Sequence, residues 1–84
     1  MKPKPIIRID VETTIGRREI SADSTIDAIR KVNASTMPVV RASLYDAHNQ
    51  LIGTMRIRQD DRGRRWMAYY SAQRPELPTW ERKL

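Results

Sequence analysis

The sequence predicts an α+β fold in which a single helix packs on one face of an antiparallel sheet of about five strands. Three observations support this prediction. Several short segments alternate apolar with polar residues, as half-buried strands do, and one segment between them has helical spacing. The chain has 84 residues, which suffice for one small domain only.

A hairpin is predicted near the start of the chain. Apolar and polar side chains alternate across residues 6–14, which indicates a first strand. Gly16 offers a turn, and residues 17–22 can return as a short second strand. We therefore expect residues 1–5 to form a lead-in to the domain.

One helix of about three turns is predicted next. Asp23 or Ser24 can cap its first turn, and Asp27 follows Ser24 at the spacing of a capping box. We expect the helix to run to about Ala34 and to end before Pro38, because proline disfavours helical geometry in the residue before it. The apolar residues at helical spacing are Ile26, Ile29 and Val32.

Alternation resumes after the helix and predicts three strands in series. These strands cover residues 38–45, 51–58 and 64–70, and polar turns join them. Short turns between successive strands are typical of an antiparallel meander, so the chain order is β-β-α-β-β-β. The domain should therefore span residues 6–70.

The last segment, residues 71–84, has no periodicity. It contains Pro75 and Pro78, which cannot donate a backbone hydrogen bond to a neighbouring strand. We expect an extended, partly ordered tail from which Leu77 and Trp80 can dock on the domain.

One helix can cover only one face of such a sheet, so the other face meets solvent or a partner. The residues predicted to face the helix are Ile7, Ile9, Val11, Val40, Ala42, Leu44, Met55 and Ile57. If Trp66, Ala68 and Tyr70 also face it, then Arg65, Met67 and Tyr69 point outward. The candidate partner-binding residues, on the outward side and at the basic turn, are Arg8, Arg41, Tyr45, Arg56, Arg58, Arg62, Arg64, Arg65 and Tyr69.

The charge balance favours acidic partners. Lys and Arg number 16 against 10 Asp and Glu, which gives a formal net charge of +6. Nucleic acid, an anionic membrane and an acidic protein surface would all be attracted, although the same excess can serve solubility alone. The sequence has no apolar run long enough for a secretory signal or a membrane span, so we expect a cytoplasmic protein with no membrane partner.

No pattern of residues indicates catalysis, a metal site or a cofactor. The chain has no Cys and one histidine, His48, which stands in a predicted turn. Asp60 and Asp61 share another turn with arginines, with which they can pair locally. No Ser or Thr has a recognisable base, and the three glycines form no phosphate loop. We therefore expect a non-enzymatic protein.

Three segments together resemble a known group of proteins. They are a capped Ala/Ser-rich helix start within residues 19–35, a Val-Val-Arg strand at 39–41, and a hairpin that ends Gly63-Arg-Arg-Trp66. Their order is similar to that of small phage-encoded anti-CRISPR proteins that pack one helix on an antiparallel sheet. The resemblance covers roughly residues 6–70.

This resemblance implies a function and a partner. The chain would inhibit a type I CRISPR-Cas surveillance complex in the cytoplasm of a bacterial host. It would dock on the Cas backbone subunits and block recognition of target DNA without catalysis.

Other functions and assemblies remain open from the residues. The chain can instead be a small basic DNA- or RNA-binding accessory protein of phage or mobile-element origin. It can also be a subunit of a host or phage assembly. Both a monomer and a homodimer are open, because exposed edge strands can pair two copies.

Overall fold

The computed structural model describes residues 7–34 and 38–84. In these ranges six strands form one antiparallel sheet with the spatial order β2-β1-β3-β4-β5-β6, accompanied by one helix. The elements are β1 (Ile7–Thr13), β2 (Gly16–Ala22), α1 (Thr25–Asn33), β3 (Val39–Tyr45), β4 (Leu51–Gln59), β5 (Arg65–Ser71) and β6 (Trp80–Lys83). The predicted class and the single helix are confirmed, whereas the sheet has six strands instead of five.

The core lies on the face of the sheet that α1 covers, which we call the inner face. The largest side chains that are fully buried there are Ile9, Leu44 and Met55. Ala28, Ile29 and Val32 of α1 pack against them. The helix contacts β1, β2 and β3, so it covers one half of the sheet. Among the described residues, no helix is long and apolar enough to cross a membrane.

The predicted cap of α1 is confirmed. Ser24 is the N-cap, and its Oγ accepts a hydrogen bond from the Asp27 amide at 3.1 Å. The Asp27 carboxylate in turn accepts from the Asp23 amide at 3.1 Å. Ile26, which shares the helical spacing of Ile29 and Val32, is nevertheless 70% exposed. It lies about 120° around the helix axis from Val32 and therefore falls on the flank of the buried stripe.

A bulge at the start of β3 reverses one predicted orientation. The register between β1 and β3 shifts so that Thr13 pairs with Val39. Val39 is consequently buried, and Val40, which was predicted to face the helix, is 46% exposed. An extra residue in one strand of an antiparallel pair turns the preceding side chains to the other face.

The orientation predicted for β5 is wrong. Ile57 pairs with Met67 and Met55 pairs with Tyr69, so Met67 and Tyr69 share the inner face with them. Trp66, Ala68 and Tyr70 point to the opposite face, which we call the outer face. The cause is the turn of residues 60–64. It sets the register of β5 against β4 and thereby fixes which side chains of β5 lie on the inner face.

The C-terminal segment contains a strand that the sequence did not predict. Residues Trp80–Lys83 pair with β5 as β6 at the edge of the sheet. Trp80 packs against the core, as predicted, whereas Leu77 is 59% exposed. The predicted lead-in, residues 1–5, lies outside the described residues.

Candidate docking surface

The outer face of the sheet is rich in arginine. Cross-strand partners share a face, so the register identifies its members directly. Its charged and aromatic residues are Arg8, Asp10, Glu12, Arg17, Glu19, Arg41, Tyr45, Arg56, Arg58, Trp66, Tyr70, Glu81 and Lys83. Within the described ranges no helix covers this face, because α1 packs on the inner side.

Three arginines of the outer face lie over aromatic rings. The guanidinium carbon is 4.6 Å from the ring centroid in the pair Arg8 and Tyr45, 4.1 Å in Arg56 and Tyr70, and 5.5 Å in Arg58 and Trp66. Each such contact contributes about 0.5–1 kcal/mol at an exposed site and restricts the guanidinium to one region. The guanidinium groups, rather than the ring faces, are therefore what the outer face offers to a partner.

In one half of the outer face, on β1, β2 and β3, carboxylates balance the arginines. Arg8 Nε lies 3.6 Å from Asp10 and 3.8 Å from Glu19. Glu12 stands between Arg17 at 3.8 Å and Arg41 at 3.2 Å. We call this the balanced half, because its three arginines face three carboxylates. The members are Arg8, Asp10, Glu12, Arg17, Glu19 and Arg41.

The other half, on β4, β5 and β6, retains positive charge. Arg58 donates two hydrogen bonds to Glu81, at 3.0 Å from Nε and 2.6 Å from Nη2, and these bonds raise the pKa of the Arg58 guanidinium. Arg56 has no carboxylate oxygen within 4.0 Å among the described residues. We call this the basic half, and its charged members are Arg56, Arg58, Glu81 and Lys83.

Two arginines are direct neighbours where the halves meet. Arg41 of β3 pairs with Arg56 of β4 across the antiparallel ladder. Like charges that stand directly opposite each other in a sheet are destabilising. The Arg41 guanidinium pairs with the Glu12 carboxylate, whereas the Arg56 guanidinium lies on the Tyr70 ring.

The basic turn between β4 and β5 is organised by Asp60. Its carboxylate accepts hydrogen bonds from the amides of Arg62 and Arg64, from the Arg64 guanidinium and from the Trp66 indole, at 2.7–3.2 Å. Burial raises the pKa of Asp60, but the hydrogen bonds outweigh it and lower the pKa to about 2. The Arg64 side chain is thus held within the turn.

The structure brings together five of the predicted site residues and separates the others. Arg8, Arg41, Tyr45, Arg56 and Arg58 share the outer face, and Arg62 and Arg64 belong to the adjacent turn.

Arg65 and Tyr69 do not belong to this surface. Arg65 pairs with Gln59 and points to the inner side. Tyr69 is only 7% exposed, and its hydroxyl donates to the Ile52 carbonyl at 3.2 Å.

Sequence reasoning missed several members of the outer face, among them Trp66, Tyr70 and Glu81. Trp66 was assigned to the core and Tyr70 to the inner side, because the wrong set of alternating residues in β5 was assigned to the inner face. The length of the turn at residues 60–64 was the signal that could have fixed that parity. Glu81 had no comparable signal, since β6 was not predicted.

No arrangement for metal binding is found in the part of the chain that the structure describes. It contains no group of three or more His, Cys, Asp and Glu side chains that could hold a metal ion. His48 lies in the turn after β3, where its amide donates to Asp46 at 2.8 Å.

Comparison with known proteins gives no relative from which a role could be carried over. No protein-family model, curated protein or solved structure matches this chain.

Proposed function

We propose that this chain is a non-enzymatic binding protein that docks on an acidic protein surface through the basic half of its outer face. Arg56 is the anchor. The observation that carries the proposal is its guanidinium, which lies on the Tyr70 ring at 4.1 Å and has no carboxylate within 4.0 Å in the described ranges. An arginine that is already oriented loses little conformational entropy when it binds a carboxylate at both nitrogens.

Two features favour a protein partner over nucleic acid. The rings of Tyr45, Tyr70 and Trp66 each carry a guanidinium, so they do not offer the open faces on which bases stack. The outer face also mixes carboxylates with its arginines, and carboxylates repel phosphate. Interfaces between proteins are enriched in Arg, Tyr and Trp, which is the composition of the basic half.

The resemblance to anti-CRISPR proteins supplies a specific partner for this proposal. The basic half docks on acidic groups of the Cas backbone subunits of a type I surveillance complex in the cytoplasm of the bacterial host. Docking there blocks recognition of target DNA, and the inhibitor needs no chemistry of its own.

The test is a charge reversal at the anchor. Arg56→Glu should weaken association with a purified type I surveillance complex by about tenfold or more, which corresponds to about 1.4 kcal/mol. Arg17→Glu is the matched control, because Arg17 is 85% exposed and belongs to the balanced half. Biolayer interferometry measures both affinities. Equal losses in the two variants, or no association of the unmodified chain, would contradict the proposal.

The overall positive charge favours a second candidate, binding to DNA or RNA. The net charge is +6, and the turn between β4 and β5 adds Arg62 to the basic half. A gel shift with duplex DNA and with single-stranded RNA, repeated at rising salt, tests this candidate. Tight binding that weakens steeply with salt and changes equally in Arg17→Glu and Arg56→Glu would favour it over the protein interface.

A further inference from the structure

A second surface lies on the inner side of the sheet, where α1 faces β6. An open groove of about 380 Å³ separates them, and its lining includes Ile26, Ile29, Arg30, Asn33, Trp80 and Arg82. The sheet stands between this groove and the outer face. The groove therefore belongs to neither half of the surface described above.

The groove has a large apolar side chain on each side. Ile26 projects from the flank of α1 with 70% of its surface exposed, and Trp80 across the groove is half-buried against the core. Each Å² of apolar surface that a partner covers contributes about 25 cal/mol. Tryptophan and arginine, which both line this groove, are enriched among the residues that contribute most to binding at protein interfaces.

The charge at the groove is positive. Arg30 extends from the α1 side and Arg82 from the β6 side. Neither guanidinium has a carboxylate oxygen within 4.0 Å among the residues of 7–34 and 38–84. The nearby Asp27 carboxylate is already bonded to the Asp23 amide and paired with Lys31 at 3.4 Å.

We propose that this groove is a second docking site, which binds an acidic segment of a protein partner that carries a large apolar side chain. The apolar side chain lies between Ile26 and Trp80, and flanking carboxylates pair with Arg30 and Arg82. Charge complementarity decides the occupant, because a basic or neutral segment would leave both guanidinium groups without a partner. Two docking sites on opposite sides of the sheet allow the chain to bridge two surfaces.

The test uses short synthetic peptides in a titration followed by NMR. One peptide has a central leucine flanked by aspartates, a second replaces the aspartates with lysines, and a third replaces the leucine with serine. Only the first should produce saturable shifts of the Trp80 indole N–H, while the Trp66 indole, on the other face, stays unchanged. Equal binding of the lysine peptide, or shifts confined to Trp66, would overturn the proposal, as would the absence of saturable shifts.

Variants of the chain then distinguish binding in the groove from nonspecific binding to exposed apolar side chains. Ile26→Ser and Arg82→Glu should each weaken binding of the first peptide by about tenfold. Ile15→Ser is the matched control, because Ile15 is 76% exposed in the turn between β1 and β2 and does not line the groove. Loss of binding in Ile15→Ser as large as in Ile26→Ser would contradict the assignment.

The groove is independent of the proposed function of the outer face. Arg56→Glu should bind the first peptide as tightly as the unmodified chain does. If Arg56→Glu loses the surveillance complex and keeps the peptide, both proposals stand, whereas loss of the peptide would place its binding site on the outer face.

Discussion

A single carboxylate, that of Asp60, fixes the basic turn beside the outer face. It accepts hydrogen bonds from two backbone amides, a guanidinium and an indole, and only 11% of its side-chain surface is exposed. Short polar side chains that bond the backbone of their own turn are a common means of fixing its shape. Asp60 thereby determines how Trp66 enters β5 and supports Arg58.

Asp60→Asn should destabilise the domain at neutral pH, because a neutral amide oxygen accepts these hydrogen bonds less strongly than a carboxylate. The pKa of Asp60 is about 2 in the folded chain, against an ordinary value of 3.8. The stabilisation is therefore complete above about pH 4 and is lost as the pH falls through about 2. Thermal unfolding midpoints of the unmodified and Asn variants should differ at pH 7 and converge near pH 2.

Asp61→Asn provides the control for this titration. Asp61 is the exposed neighbour of Asp60, and no hydrogen bond or ion pair of the described residues involves its carboxylate. Its replacement should change the free energy of unfolding by less than about 0.5 kcal/mol. A pH-dependent difference of the same size at both positions would show that net charge, rather than the Asp60 bonds, is responsible.

At the scale of elements, β5 shows why strand positions are easier to predict than strand orientations. Residues Arg65–Ser71 place large side chains on both faces, so alternation indicates a strand without saying which side is buried. Helix α1 was easier to predict, because the Ser24 cap and the apolar spacing agree. Its buried stripe of Ala28, Ile29 and Val32 is centred near Val32, so Ile26, about 120° around the axis from Val32, falls outside it.

Gly53 provides the space that the observed orientation of β5 needs. The Tyr69 ring lies over Gly53, and a Cβ at this position would meet the ring and its hydroxyl oxygen. Gly53→Ala should therefore destabilise the domain by about 1–3 kcal/mol, the usual cost of overpacking a core. Urea unfolding followed by circular dichroism measures the change.

The second substitution of this test is Tyr69→Leu, which changes the side chain that lies over Gly53. A smaller side chain removes the clash, so the two substitutions together should cost less than the sum of their separate effects. A purely additive result would mean that the Ala methyl group acts on something other than the Tyr69 ring.

At the scale of the whole molecule, β6 decides the shape of both proposed surfaces. Through Glu81 it neutralises Arg58 on the outer face, and through Trp80 and Arg82 it forms one wall of the groove. The sequence of this strand is short and follows two prolines, so no periodicity could reveal it. Its pairing depends on the edge that β5 offers and on the docking of Trp80, which are tertiary effects.

The contact of Arg58 with Glu81 also changes how the outer face should be tested. Exposed charges contribute little to stability, so reversal of both Arg56 and Arg58 would be expected from the sequence to spare the fold. Arg58 is 33% exposed and holds β6 by two hydrogen bonds, so Arg58→Glu would disturb the sheet as well as the surface. Arg56→Glu alone separates binding from folding.

Trp80→Ala should release β6 and leave the rest of the sheet folded. Replacement of a fully buried Trp by Ala costs about 3–5 kcal/mol, and because Trp80 is half-buried we expect a loss of about 1–3 kcal/mol.

The backbone amides of β5 point alternately to its two neighbouring strands. The Leu84 amide donates to the Arg65 carbonyl on the β6 side, and the Asp60 amide donates to the Arg64 carbonyl on the β4 side. The amides of Met67 and Tyr69 therefore point to β6, and that of Ala68 points to β4.

Hydrogen exchange resolves this release residue by residue. In Trp80→Ala the amides of Met67 and Tyr69 should exchange faster by at least about tenfold, while that of Ala68 keeps its protection, because its partner strand remains in place. Leu77→Ala, in the same segment but 59% exposed, should leave all three unchanged. Uniform acceleration of the three amides in Trp80→Ala would mean instead that β6 is needed for the whole sheet, so that neither surface could form without it.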